Sequence, residues 1–152
     1  MKIFLILLFT SLQIFALSLS VNGQIKEPYR LTKEEFERIP HSTIKNVNIV
    51  CASGEEKQKP KDLNGVLLIQ LIQKAKIDIK SRKKLNQIVV LATASDNYTV
   101  VFSYNELFNT TIGNEVIVVY ENESFSLYSK KDFLTGPRHV YALTNIKIQL
   151  IQ

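Results

Sequence analysis

Two short apolar runs rich in β-branched residues constrain this chain most. Ile88-Val89-Val90-Leu91-Ala92-Thr93-Ala94 and Val116-Ile117-Val118-Val119-Tyr120 show no polar alternation and no helical spacing. Such runs predict strands covered on both faces, so other elements must pack above and below a sheet. Asp96-Asn97 reads as a turn leading to Thr99-Val100-Val101-Phe102-Ser103, the hairpin partner of the first run. Phe125 to Tyr128 is expected to pair locally with the second run. The chain closes on a strand through Val140, Ala142, Ile146, Ile148 and Leu150.

Helices are few and short by their own signals. Thr32-Lys33-Glu34-Glu35 is a capping box, in which hydroxyl and carboxylate each satisfy a free amide of the first turn. The helix it opens buries Phe36 and Ile39 and stops at Pro40. Leu67, Leu68, Leu71, Ile72 and Ala75 form an apolar stripe of helical period, and Ser103 to Glu106 is a second capping box. Between residues 45 and 51, Val47, Ile49 and Cys51 share one face of a half-buried strand. Residues 54–64 are polar and lysine-rich, contain Pro60 and end in Asn64-Gly65, which reads as a loop or hairpin tip. Ser81 to Lys84 is a basic connector. The predicted class is α+β: one domain, a mixed sheet and a few short helices.

The beginning of the chain has a different character. Lys2 precedes Ile3-Phe4-Leu5-Ile6-Leu7-Leu8-Phe9, and diluted apolar character continues to Leu19, followed by Ser20 and Gly23. One positive charge, an apolar stretch and then small residues predict a secretory signal peptide over residues 1–23. Gln13 and the serines leave the run shorter than a spanning helix needs, so no membrane anchor is expected after cleavage. The domain is then residues 24–152, exported to a periplasmic or extracellular location. Lys2 is the one charge removed, so the net charge goes from +5 to +4.

Composition closes off several kinds of chemistry. One cysteine cannot form an intramolecular disulfide, and two histidines offer little for zinc. No phosphate-cradling glycine loop or Ser/His/Asp spacing is present. The lysines lack interleaved aromatics and any groove-reading motif, so no nucleic-acid role is expected. Three glycosylation sequons begin at Asn97, Asn109 and Asn122.

Cys51 remains as either a small core residue or a metal ligand or nucleophile at a strand end. Arg138-His139, after Gly136-Pro137, is either a solvated pair or a grip for a small anion, since guanidinium offers a bidentate fork and imidazole a further donor. His41, at a helix-to-strand corner, is expected to cap or lie at the surface.

In series, several segments resemble the sulfite-oxidase-type, molybdopterin-binding oxidoreductase domain. They are Leu31-Thr32-Lys33-Glu34-Glu35-Phe36 with Ile39-Pro40, Asn64-Gly65-Val66-Leu67-Leu68 through Ala75, Ala94-Ser95-Asp96-Asn97-Tyr98 through Leu107, and Arg138-His139-Val140-Tyr141-Ala142-Leu143 through Ile148. The resemblance spans roughly residues 30–150. It implies that family's fold, a molybdopterin cofactor, Cys51 as the metal ligand, and Arg138, His139 and Lys131 beside the anionic cofactor. Soft thiolate ligation suits such a metal.

The departures are specific. Asn97 replaces a glycine, and a glycine-rich stretch before the last strand is reduced to Asn122-Glu123-Ser124-Phe125-Ser126-Leu127. Ser53-Gly54-Glu55-Glu56 stands where an arginine-rich segment would follow the cysteine. The chain is therefore similar to short exported members with an incomplete site. The expected function is a non-catalytic binding or accessory module, with a protein or small anionic ligand as partner. The alternatives are a molybdenum oxidoreductase using Cys51 and an unrelated secreted interaction protein.

Overall fold

The computed structural model describes residues 18–151. Residues 1–17 of the expected signal peptide lie outside the described residues. Of its remainder, Ser18 precedes the strand β1 (Leu19–Gly23).

Two sheets organise the domain. In the first, β2 (Tyr29–Leu31), β1, β9 (Leu143–Leu150), β5 (Ile88–Ala94) and β6 (Thr99–Ser103) lie side by side in that order. β1 runs parallel to β9 and the other pairs are antiparallel, so the sheet is mixed as expected. The second sheet orders β3 (Ser42–Val50), β4 (Glu56–Leu67), β7 (Val116–Glu121) and β8 (Ser124–Ser129), all antiparallel.

β7 is covered on both faces, and the two sides serve different cores. Val116 and Val118 join the main cluster with Leu71, Ile72, Val90, Phe102, Phe125 and Ile148. Ile117 and Val119 join Ile44, Val47, Leu63 and Tyr128 in a second, smaller cluster. β5 departs from the same expectation. Its residues alternate between buried and half-buried along the strand. One face of this strand, antiparallel to both its neighbours, packs on the main core while the other stays half-open, which a run of small and β-branched residues tolerates.

The short helices begin as their caps dictate. α1 (Lys33–Glu37) carries the Thr32–Glu35 box, and Phe36 is its one buried residue. α2 (Leu68–Ala75) buries Leu68, Leu71, Ile72 and Ala75. α3 (Arg82–Leu85) is a single turn within the basic connector. α4 (Tyr104–Phe108) carries the Ser103–Glu106 box. His41 lies at the corner after α1, its Nδ1 2.8 Å from Asn64 Oδ1 and its Nε2 3.4 Å from the Phe36 carbonyl.

The lysine-rich segment is the main correction. Residues 56–65 are not a loop: they are strand β4, paired with β3 as an arm that meets β7 only at Val66 and Leu67. Few apolar residues mark it because that arm is exposed along much of its length. The register shifts between Val47↔Lys61 and Ile49↔Gln58, which accommodates Pro60 at a bulge, where its missing N–H is tolerated. Gly65 makes no turn. A Cβ there would lie 2.2 Å from the Val118 carbonyl oxygen, so glycine is what lets β4 approach β7.

Candidate functional site around Cys51 and Arg138

β3 ends at Val50, and Cys51 opens the tight connection to β4. The Cys51 amide donates to the Glu55 carbonyl at 2.9 Å, and the Gly54 amide donates to the Cys51 carbonyl at 2.8 Å. Gly54 supplies the positive φ, +83°, that closes this turn. The thiol is free and half-buried. Cys51 is not among the buried residues of the core cluster that contains α2.

A second segment lies across the end of β3. The Thr135 hydroxyl donates to the Asn48 carbonyl and accepts from the Val50 amide, both at 2.8 Å. Gly136 then passes so closely that a Cβ would fall 2.7 Å from the Val50 carbonyl oxygen and 3.2 Å from Cys51 Cα. The 3-10 turn Gly136–Arg138 follows at once. The fold thus brings Cys51 and the Arg138-His139 segment, nearly ninety residues apart, to one corner.

The guanidinium of Arg138 is already engaged. Its Nε donates to Asp132 Oδ2 at 2.8 Å, Nη2 to Asp132 Oδ1, and Nη1 to Glu106 Oε1 at 2.7 Å. Its plane also lies over Phe102, 4.5 Å from the ring centre. The Asp132 hydrogen bonds raise its pKa further, against the opposing effect of burial. One positive charge faces two carboxylates, with side chains 23%, 15% and 23% exposed for Arg138, Asp132 and Glu106. The cluster is net negative, and an incoming phosphate would meet repulsion at short range. Lys131, 3.2 Å from Glu115, and Lys130, 3.6 Å from it, share that one carboxylate and keep a net positive charge between them.

His139 turns to a different set of neighbours. Its ring lies 4.4 Å from that of Tyr128, and its Nε2 is buried without a hydrogen-bond partner. Burial pushes its pKa down, outweighing the pull of Glu121. Glu121 accepts from Lys61 at 2.7 Å and from the Tyr128 hydroxyl. Burial pushes the Glu121 carboxyl up, but these hydrogen bonds prevail and hold it below its ordinary value. Tyr128 is shifted up by burial and then by Glu121. His139 also borders an open cleft of about 230 Å³ with Asp96, Tyr98 and Tyr141. The Tyr98 hydroxyl crosses to the Pro137 carbonyl at 2.6 Å.

Sequence reasoning selected Cys51, Lys131, Arg138 and His139 but missed the acids that occupy two of them. Glu106 has a visible signal: a capping-box carboxylate uses one oxygen for the Ser103 amide and leaves the other for Arg138. Asp132 and Glu115 carry no such mark. Among the described residues, no three His, Cys, Asp or Glu side chains converge as a metal-binding group. With Arg138 held by two acids and Glu55 and Glu56 at the hairpin tip, Arg138 does not fit the role of gripping a phosphate-bearing pterin.

The fold is α+β, with one domain built on two sheets. It is similar to the structure of the sulfane dehydrogenase SoxCD from Paracoccus pantotrophus, with a TM-score of 0.62 over 87% of this chain at 15% identity. The match spans 38% of that longer chain, and the likeness is one of fold. No protein-family model matches the sequence, and neither does any curated protein.

Proposed function

We propose that this domain is an exported, non-catalytic binding or accessory module built on a molybdopterin-binding-type fold. The observation that carries this reading is the occupation of Arg138 by Asp132 and Glu106. The arginine that would neutralise a cofactor phosphate serves instead as a structural tie between α4 and the segment before β9. A protein partner is favoured by Phe133, fully exposed in the same segment that Asp132 and Thr135 fasten at either side. A rigidly presented aromatic supplies contact area at small entropic cost.

A second reading keeps the oxidoreductase, with Cys51 as the molybdenum ligand. It is supported by the half-exposed thiol beside the Gly136–Arg138 turn. Dye-linked oxidation of sulfite by the exported protein separates the two. The module reading expects a rate indistinguishable from that of Cys51→Ser; turnover that disappears in Cys51→Ser would refute it.

A further inference from the structure

We propose that the signal peptide is removed between Ser18 and Leu19, immediately before β1, and not after Gly23. This rests on the export proposed above. The sequence alone offers several cuts, because signal peptidases select small side chains one and three residues before the broken bond. Ala16 and Ser18 satisfy a cut before Leu19, Ser18 and Ser20 a cut before Val21, and Gly23 a cut before Gln24. The folded domain discriminates among them.

β1 is an interior strand, standing between β2 and β9. Leu19 and Val21 are completely buried in the main core. The strand pairs from Leu19↔Leu31 to Val21↔Tyr29 on one side and from Ser20↔Asn145 to Gly23↔Ile148 on the other. The Asn22 side-chain Nδ2 also donates to Asn145 Oδ1 at 2.6 Å. Gly23 fits its site closely: at φ +106°, a Cβ would lie 2.0 Å from the Ile148 carbonyl oxygen. Cutting after Gly23 would remove this strand, strip β2 of its neighbour in the sheet and leave backbone groups of β9 unpaired. Cutting after Ser20 would remove Leu19 from the core. Only the cut after Ser18 uses small residues and leaves β1 whole.

The reaction is amide hydrolysis by a membrane-bound signal peptidase. Water adds its hydroxyl to the Ser18 carbonyl carbon, the C–N bond breaks, and the proton goes to the Leu19 nitrogen. The product chain begins Leu-Ser-Val-Asn-Gly.

The test expresses the full chain in an exporting host, recovers the exported protein, and reads its N-terminus by sequential degradation and intact mass. A start at Leu19 is expected. An exported, folded protein starting at any other residue overturns the proposed cut while leaving export standing. A chain that keeps Met1 inside the cell overturns both. Ala16→Tyr and Ser18→Tyr should each reduce the mature form at least tenfold in a pulse-chase, since each puts a bulky side chain at a position that needs a small one, and both precede Leu19 in the chain. Unchanged processing in both variants would overturn the assignment, whatever the stability of the product.

Discussion

Replacing Arg138 by methionine tests whether the residue is a structural tie. The substitution keeps an apolar stem over Phe102 but removes three charge-assisted hydrogen bonds and leaves Asp132 and Glu106 close together without their cation. Removing one partner of a fully buried pair costs roughly 3–5 kcal/mol, because the remaining charge stays desolvated. The three side chains here retain 15–23% of their exposure, which reduces the penalty to about 2–3 kcal/mol. With an unfolding entropy near 2.1 cal/mol/K per residue, a domain of this size loses about 4 °C per kcal/mol. The melting temperature of Arg138→Met should therefore fall by about 8–12 °C at pH 7, followed by circular dichroism. Adding Asp132→Asn and Glu106→Gln should recover part of the loss, because the stranded charges are then gone. A variant that melts within about 2 °C of the parent would refute the reasoning, since an arginine kept for an external anion gives up little stability when that anion is absent.

Other consequences concern acid sensitivity and packing. His139 has a folded pKa below its ordinary 6.5, so the unfolded chain binds more protons, and stability should fall as pH drops below 6.5 towards the folded value. His139→Phe should flatten that limb in urea titrations; an unchanged limb counts against the buried neutral imidazole. Glu121 is likewise depressed below 4.5, so its contribution is present above pH 4.5 and is lost as pH falls through the folded value. Glu121→Gln should remove that second slope, measured the same way. Gly65→Ala should cost about 3 kcal/mol or more, because the added methyl meets the backbone of Val118 and cannot be relieved by a rotamer change. A loss below about 1 kcal/mol in denaturant unfolding would show that β4 and β7 can separate there.

The elements foreseen from the sequence are those written by neighbouring residues. Thr32 with Glu35 and Ser103 with Glu106 act across three positions, so α1 and α4 could be placed directly. The stripe from Leu67 to Ala75 marked α2 because its apolar positions follow the helical period. β4 escaped notice because its arm is largely exposed and imposes little hydrophobic pattern. Gly65 was misread for a related reason: a glycine before a helix looks like a turn until Val118, far along the chain, is seen against it. β1 was hidden by a plausible cleavage motif, since five residues ending in Asn-Gly resemble a processing site more than an interior strand.

The candidate site divides along the same line. Cys51 and Arg138-His139 stood out by residue type and neighbours, and β3 and the Thr135–Gly136 segment do bring them to one corner. What Arg138 does there depends on Asp132, six positions away, and Glu106, thirty-two positions away. No local pattern encodes that convergence. It makes the residue a crosslink between α4 and the segment before β9.

The molybdenum and pterin content of the protein, exported from cells that make the cofactor and purified without chelators, tests the central claim most directly. An accessory module with Arg138 tied to Asp132 and Glu106 predicts far less than one molybdenum per chain and no pterin fluorescence after oxidation. One molybdenum and one pterin per chain, both lost in Cys51→Ser, would contradict the account.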